Sequence, residues 1–275
     1  MANPLTMKLE QFTRFDQAER ERLNELLTYP TQTWARGQII IDEGQKVDDI
    51  HLVLTGFAAR EKILADGSRQ LMAFLIPGDL CDIEVFVLRA MDHNITALAD
   101  TTCVLIPAKD MEDLLTEGST LTKALWWSTM TDSAIMREWI VDHGSRDARE
   151  RMAHLFYEML IRFRIVGETT DDAFPFPLTQ EDLADATGIT PVHVNRILQD
   201  LRSAGLIELR NKVMTVLDPE GLREAGRFEA NYLHLNRTEQ RDPEVAGRAG
   251  DLLPAGQGRL IDRAVGKVRT LFKGP

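Results

Sequence analysis

The hydrophobic pattern divides the chain into an N-terminal part built of short strands and a later part built of longer helices. One or two short helices are predicted between Leu9 and Leu27, and short apolar runs separated by turn residues follow. Asp66-Gly67 lies between two of these runs, which is typical of a hairpin because glycine accepts the positive φ that such turns need. This spacing predicts an antiparallel β-barrel or jelly roll. The predicted strands cover residues 38–41, 51–54, 58–63, 70–75, 95–98 and 103–106.

After Gly118 the apolar period changes from two to about 3.6 residues, which predicts a long helix from Ser119 onward. Its apolar positions cover more than one face, so it must be buried on more than one side. We interpret it as packing on its own barrel and along a two-fold mate. Burial wholly inside one chain is the alternative. The residues singled out in this dimer helix are Leu121, Leu125, Trp127, Ile135 and Trp139.

A second helix is predicted over 148–166, and the segment after it has the pattern of a helix-turn-helix. Thr179 followed by Asp182 forms a capping box that opens a short helix. Gly188 allows a tight turn, and Thr190 caps a second helix that has proline at its first position. Two further apolar runs predict a hairpin, the wing.

The outward face of this second helix has the side chains that read DNA bases. Arg196 can bind guanine O6 and N7 through two hydrogen bonds, Asn195 can pair with adenine, and Val192 can contact a thymine methyl group. A solvent-exposed face without a DNA role is the alternative. The predicted base contacts are Val192, Asn195, Arg196 and Gln199, and the predicted phosphate contacts are Thr179, Gln180, Thr190, His193 and Arg202.

The charge balance is unfavourable for nucleic acid in bulk, with a formal net charge of −11. Residues 1–118 carry 11 Lys and Arg against 20 Asp and Glu, so most of the excess acid lies in the predicted barrel. The DNA hypothesis therefore depends on local geometry rather than on total charge. The two cysteines provide no disulfide framework, and no apolar run is long enough for a signal peptide or a membrane span, so we expect a cytoplasmic protein.

The order of these parts resembles the Crp/Fnr superfamily of bacterial transcription regulators. Residues 37–44 and Pro77-Gly78-Asp79 are similar to its cyclic-nucleotide-binding-type barrel, the helix from Ser119 to its dimer helix, and 178–218 to its winged helix-turn-helix. The resemblance covers about residues 10–218 and implies an α+β fold. It also implies a homodimer that binds double-stranded DNA at a palindromic site with half-sites about 34–36 Å apart, with RNA polymerase as a partner.

The predicted domains follow from this order: a sensor barrel over 1–118, a dimerisation helix over 119–144, a winged helix-turn-helix over 145–218 and a tail over 219–275. Residues 237–258 are interpreted as a linker. Residues 259–273 form a basic amphipathic pattern. Such a helix docks on its own chain or contacts DNA phosphate, a partner protein or a membrane surface.

The effector pocket departs from the cyclic-AMP members of the superfamily. These members follow Pro-Gly-Asp with Gly-Glu, which binds the ribose, and then with an Arg followed by Ser or Thr, which binds the cyclic phosphate. This chain has Asp82-Ile83 and His93-Asn94 at those places, and these four are its effector-pocket candidates. Isoleucine accepts no hydroxyl proton, and histidine lacks the bidentate fork of arginine. We therefore expect a small-molecule effector other than cyclic AMP, with no cofactor specified.

The cysteines and histidines bear on three other sensing mechanisms, which use an iron–sulfur cluster, haem or a reactive thiol. Residues 1–80 contain no cysteine, which excludes the N-terminal iron–sulfur cluster of the oxygen sensors. His51 or His93 as a haem ligand remains an alternative, although a histidine in a barrel is more often structural. Cys81 and Cys103 are interpreted as buried and inert, with thiol sensing as the alternative.

A sequence-specific DNA-binding regulator is thus the leading functional hypothesis. The competing hypothesis is a ligand-sensing regulatory subunit whose helix-turn-helix contacts protein. An enzyme is the third, since no nucleophile–base arrangement, metal-ligand spacing or glycine-rich phosphate loop is found.

We predict that cyclic AMP does not bind the barrel, because Ile83 and His93 replace the residues that hold its ribose and phosphate. Isothermal titration calorimetry of the purified protein with cyclic AMP should show no saturable heat. Binding in the micromolar range at this pocket would contradict the prediction.

Overall fold

The computed structural model describes residues 3–86, 88 and 90–235. The predicted linker over 237–258 and the predicted basic helix over 259–273 lie outside the described residues. Among the residues that it does describe, none of the helices combines the length and hydrophobicity needed to span a bilayer.

The N-terminal part consists of two antiparallel sheets, in the strand orders β1-β7-β3 and β2-β6-β4-β5. In one sheet Val53 pairs with Cys103, and in the other Arg60 pairs with Ile95. Alternate side chains from both sheets form the apolar interior. The strands are β1 Thr31–Trp34, β2 Ile39–Ile41, β3 Asp49–Thr55, β4 Ala58–Ile63, β5 Arg69–Leu75, β6 Asn94–Ala97 and β7 Thr101–Pro107.

Helices enclose these sheets and form most of the remaining chain. They are α1 Pro4–Leu9, α2 Gln17–Glu25, α3 Ala108–Thr116, α4 Thr120–Ser145, α5 Ala148–Ile165, α6 Gln180–Thr187, α7 Pro191–Ser203 and α8 Pro219–Ala225. Three short strands, β8 Ala173–Pro175, β9 Ile207–Arg210 and β10 Val213–Val216, form the sheet that follows the order β8-β10-β9. Together with the N-terminal sheets they confirm the predicted α+β fold class.

Four of these elements, β1, α3, β8 and α8, were not predicted, and the first two show why. Strand β1 has the sequence Thr-Gln-Thr-Trp, and only Trp34 is buried, because β1 lies at the edge of its sheet. An edge strand with solvent on one side has no apolar alternation to detect. Helix α3 follows β7 directly after Pro107 and buries only Met111 and Leu114, too few positions to show a helical period.

The residues predicted for the dimer helix lie on the covered side of α4. Leu121, Leu125, Trp127, Ile135 and Trp139 are all buried within their own chain. The apolar side chains that α4 leaves exposed are different ones. Trp126 is 48% exposed, Met130 54% and Ile140 72%, and Met136 and Val141 flank them. Trp126 and Met130 are four residues apart, and Ile140 follows ten residues later, in register with the same coiled-coil seam; Ser133 and Arg137 occupy the two positions between. We call these five exposed residues the α4 stripe.

A buried cluster of charges joins the barrel to the helices. Both carboxylate oxygens of Asp79, in the turn after β5, are occupied: Lys8 Nζ in α1 lies 2.8 Å from Oδ1, and Arg162 Nη2 in α5 lies 2.8 Å from Oδ2. Oδ2 also accepts a hydrogen bond from the Ile76 backbone N–H. Asp132 in α4 lies 3.2 Å from the same lysine. One carboxylate thus connects α1 and α5 to the turn, and the shared lysine adds α4.

The charges of this cluster are mutually stabilised. Burial alone would raise the pKa of Asp79, but Lys8 and Arg162 outweigh it and hold this pKa below its ordinary value. Burial would lower the pKa of Lys8, but Asp132 and Asp79 raise it. Because the pKa of Asp79 is depressed, its contribution to stability is present above the unfolded-state pKa and is lost as the pH falls through the folded-state value.

We predict that Asp79→Asn destabilises the protein by about 3–5 kcal/mol, because it leaves Lys8 and Arg162 buried without their shared counter-charge. Urea unfolding followed by circular dichroism measures the change. The matched control is Asp113→Asn on the exposed face of α3, for which we expect a change within about 0.5 kcal/mol. Equal effects of the two substitutions would contradict this account.

Candidate nucleic-acid interface

Local capping sets the position of α6, the first helix of the helix-turn-helix. The Thr179 hydroxyl accepts from the Asp182 N–H, and the Asp182 carboxylate accepts from the Thr179 N–H, so the predicted capping box is confirmed. Helix α6 ends at Gly188, whose φ of 67° is left-handed. That conformation costs glycine little and turns the chain sharply toward α7.

Helix α7 begins where the sequence predicts. The Thr190 hydroxyl accepts a hydrogen bond from the His193 N–H, and Pro191 occupies the first helical position. The inner side of α7 is fully apolar and packs into the core that α5 and α6 share. This inner row consists of Val194, Ile197, Leu198 and Leu201.

The four predicted base-contacting residues lie together on the outer face of α7, at positions i, i+3, i+4 and i+7. Val192 is 74% exposed. Arg196 is exposed and forms no hydrogen bond or ion pair with any described residue. Gln199 donates a hydrogen bond to Asn195 at 2.8 Å, which orders the two amides side by side. This face therefore presents, in one row, the apolar side chain of Val192, the paired amides of Asn195 and Gln199, and the unpaired guanidinium of Arg196.

The predicted phosphate contacts lie around this row rather than in it. Thr190 and His193 are exposed at the start of α7, and Gln180 is exposed at the start of α6. Helix N-termini favour anions because their N–H groups and dipoles point outward. Thr179 is also exposed, but its hydroxyl and its backbone N–H both donate to the Asp182 carboxylate, so neither proton is free for a phosphate in this structure. Arg202 is exposed in the last turn of α7.

The wing follows α7 as an antiparallel hairpin of β9 and β10. Its two-residue turn, Asn211-Lys212, has positive φ at both positions, which is the geometry of tight hairpins with matching twist. Lys212 is exposed at the tip. The third strand, β8, pairs with β10 and was missed, because Pro175 argued against a strand. The alternation of Phe174 and Phe176, both buried, was the available signal.

A cluster of ion pairs, which we call the inter-domain latch, holds α6 on the outer face of the β2-β6-β4-β5 sheet. Arg69 of β5 reaches Asp182 at 2.8 Å and Asp185 at 2.7 Å. Arg36 reaches the other oxygen of Asp182, and Gln70 donates to the Asp185 carbonyl at 2.7 Å. Although burial would raise the pKa of Asp182, the Thr179 N–H and the two guanidinium groups lower it. Sequence reasoning missed this latch, since its partners are more than a hundred residues apart.

The four effector-pocket candidates have different surroundings. Both oxygens of buried Asp82 face His51, one toward its backbone N–H and one toward Nδ1, each at 2.8 Å. Asn94 accepts from the Glu43 N–H at 2.7 Å. Ile83 packs in the apolar cluster between the β1-β7-β3 sheet and helices α1 to α4, not in the cluster that fills the barrel interior. His93 alone keeps a free polar atom, since its buried Nε2 has no hydrogen-bond partner.

Sequence reasoning missed a further polar residue inside the barrel. Arg60 is buried, and its cross-strand partner is Ile95, two residues from His93, so strand alternation places Arg60 and His93 on the same interior face. Its Nη2 donates to the carbonyls of Leu80 and Cys81, while its buried Nε has no partner. The interior thus contains a guanidinium and an imidazole with free hydrogen-bonding atoms.

The two cysteines are buried in this barrel. A hydrogen bond to Cys103, together with burial, raises the pKa of the Cys81 thiol well above its ordinary value. A high thiol pKa makes the reactive thiolate scarce, so this environment favours the inert interpretation of Cys81 over thiol sensing.

Two family models match the chain in the regions just described. The cyclic nucleotide-binding domain matches residues 31–117, and the Crp-like helix-turn-helix domain matches residues 150–225. The first covers the two N-terminal sheets with α3, and the second covers α5 to α8. The fold and its recognition helix are those of a winged-helix transcription regulator with a sensor domain.

Known proteins agree with this class. The chain is 28% identical over 206 residues to the transcriptional activator protein FnrL of Cereibacter sphaeroides, covering 72% of this chain and 80% of that protein. It is 25% identical to the nitrogen fixation regulation protein FixK of Rhizobium meliloti, covering 70% and 84%. The structure of FixK2 from Bradyrhizobium japonicum superimposes with a TM-score of 0.65 at 22% identity, covering 73% of this chain and 98% of that one. The chain belongs to the Crp/Fnr family of DNA-binding transcription regulators.

Proposed function

We propose that the protein regulates transcription as a homodimer that binds a palindromic DNA site through α7 and the wing, under the control of a small molecule in the barrel. The observation that carries this proposal is the outer face of α7. Arg196 is exposed and free of partners among the described residues, and it is aligned with exposed Val192 and with the hydrogen-bonded pair Asn195 and Gln199. The inner face of the same helix is buried. This arrangement fits a helix that enters the major groove.

The charge distribution supports the same function despite the net negative charge. Two acidic residues in α7 and the wing are already paired: Asp200 of α7 with Arg149, and Glu208 of β9 with Arg210 at 3.5 Å. Arg196 has no such counter-charge among the described residues. The outer face of α7 therefore offers an unpaired guanidinium to the DNA.

The α4 stripe supports a homodimer. An exposed row of large apolar side chains on a helix is costly in water, and heptad-like spacing lets a second copy of the same helix cover it. A two-fold axis along α4 also gives two copies of α7, as a palindromic site requires. Contact with RNA polymerase, which the resemblance implies, remains part of this proposal.

The barrel interior supports an effector that differs from cyclic AMP. Of the four predicted pocket residues, we retain His93 as a ligand contact and add Arg60, because each has a buried nitrogen without a partner. Asp82 and Asn94 are engaged within the protein, and Ile83 packs outside the barrel interior, so these three are not retained as ligand contacts. His93 Nδ1 donates to the Asp92 carboxylate, which leaves Nε2 as an acceptor. A small anion that accepts from Arg60 Nε and carries a hydrogen-bond donor for His93 Nε2 matches these groups.

We predict that Arg196→Ala weakens binding to the preferred operator by about 1–3 kcal/mol and removes the preference for guanine at one position of each half-site. Fluorescence anisotropy on duplexes with single base changes measures both effects. Arg202→Ala is the matched control, and it should weaken binding to all duplexes equally without changing the preference. If Arg196→Ala retained the full base preference, the role of this residue would be wrong.

We predict that Ile140→Glu converts the dimer to a monomer, because the two-fold axis would bring two new carboxylates together in an apolar seam. Sedimentation velocity measures the oligomeric state. The control is Ile63→Glu, which adds the same charge at an exposed apolar position of β4 and should leave the dimer intact. A wild-type sedimentation coefficient for Ile140→Glu would rule out the α4 stripe as the interface.

A further inference from the structure

His154, in the first half of α5, is a fully buried histidine with no hydrogen-bond partner on either ring nitrogen. Its ring is held from two sides. The ring of Tyr232 stacks on it at a centroid distance of 5.8 Å, and Phe228 packs at 5.1 Å. A buried imidazole without partners is unusual, since buried polar groups in folded proteins are almost always hydrogen-bonded.

Two carboxylates from the end of α4 face this ring. Asp142 Oδ2 lies 3.1 Å from Nδ1, and Glu138 Oε1 lies 3.8 Å from Nε2. One ligand atom from each of the three residues can be chosen so that all three lie within 4.8 Å of one another. Ligand atoms around one four-coordinate ion with bonds of about 2.0–2.2 Å are separated by roughly 3.3 Å, so small side-chain movements close the site.

The charges of this group are not balanced by protein alone when His154 is neutral. Arg146 is the only cation that pairs with the two carboxylates among the described residues, through Nη2 to Glu138 at 2.8 Å and through Nη1 to Asp142. It contacts Oδ1 of Asp142 and leaves Oδ2 directed at the imidazole. Asp142 is 3% exposed, so one uncompensated negative charge is buried here.

The remaining neighbours of His154 do not neutralise this buried negative charge. Glu158, one turn along α5, accepts from the Tyr232 hydroxyl at 2.9 Å and pairs with Arg162 at 3.4 Å, so that arginine already has its own carboxylate partners. Burial raises the pKa of Glu158, and Arg162 and His154 only partly oppose this shift. Arg151 Nη1 donates to the backbone carbonyl of Asp142 at 3.2 Å rather than to its carboxylate. Arg146 is therefore the one cation paired with two carboxylates among the described residues, and one negative charge is left over when His154 is neutral.

We propose that Glu138, Asp142 and His154 bind one divalent transition-metal ion at the junction of α4 and α5. One imidazole and two carboxylates suit a first-row ion such as Zn²⁺, whereas Mg²⁺ and Ca²⁺ prefer all-oxygen sites. A water molecule would complete a four-coordinate shell. Arg146 serves as the outer partner that orients both carboxylates.

The position of the ion couples it to the DNA-binding half. Only Arg146 and Asp147 separate α4, with the proposed dimer stripe, from α5, which packs against α6 and α7. An ion bound by residues from both helices fixes the angle between them. This consequence rests on the proposed function, whereas the metal site itself does not.

The test is a calorimetric titration of the chelator-treated full-length protein with Zn²⁺ alone. We expect one ion per chain and a thermal unfolding midpoint that rises with Zn²⁺ but not with Mg²⁺. His154→Gln and Glu138→Gln should each lower the Zn²⁺ affinity by at least about tenfold. Glu138 is the less buried of these two residues, so Glu138→Gln keeps the test valid if His154→Gln fails to fold. The control is His234→Gln, which removes an exposed histidine and should leave the affinity unchanged.

Unchanged Zn²⁺ affinity in both ligand variants would overturn the proposal. The proposal would also be overturned if a proton on His154, rather than a metal ion, balanced the two carboxylates. The protein would then show no response to Zn²⁺, and its thermal midpoint would fall as the pH rises past the imidazolium range in the wild type but not in His154→Gln. DNA affinity measured with and without Zn²⁺ tests the metal site and its effect on DNA binding separately. Metal binding at these residues without any change in DNA affinity would refute the effect on DNA binding but not the metal site.

Discussion

The buried carboxylate of Asp79 is the contact on which the arrangement of the two halves depends. It lies in the turn that leaves β5, and it is bound by a lysine of α1 and an arginine of α5. Helix α5 is the central helix of the DNA-binding half, since α4, α6, α7 and α8 all pack on or beside it. A movement of the barrel that reaches α7 through α5 must therefore displace a charge pair that neither partner can leave unpaired without a large cost.

A second joint lies at α6, where the inter-domain latch holds the helix-turn-helix against the sheet. Asp182 belongs to this latch and to the capping box of α6, so one side chain both starts the helix and attaches it to the barrel. A change inside the barrel that moved β5 would therefore act directly on the first helix of the DNA-reading unit. The barrel and the helix-turn-helix are connected by charged contacts that have discrete partners.

The recognition helix was predictable from sequence because its signals are local. Thr190, Pro191 and Gly188 mark helix ends, and the spacing of Val192, Asn195 and Arg196 defines one face. The dimer face was not predictable in the same way: α4 is apolar on nearly all sides, so periodicity cannot say which residues the same chain covers. The latch and the His154 group also have no sequence signature, because they pair residues that only the tertiary fold brings together. Strands β1 and β8 were missed because one is polar and the other contains proline.

The central claim is that two copies of α7 read one two-fold symmetric DNA site. The measurement that tests it most directly is selection of random duplex DNA by the purified full-length protein, followed by sequencing of the enriched pool. The account predicts an inverted repeat whose half-site centres are about one helical turn apart. Enrichment of a single asymmetric half-site, or of no sequence, would contradict it.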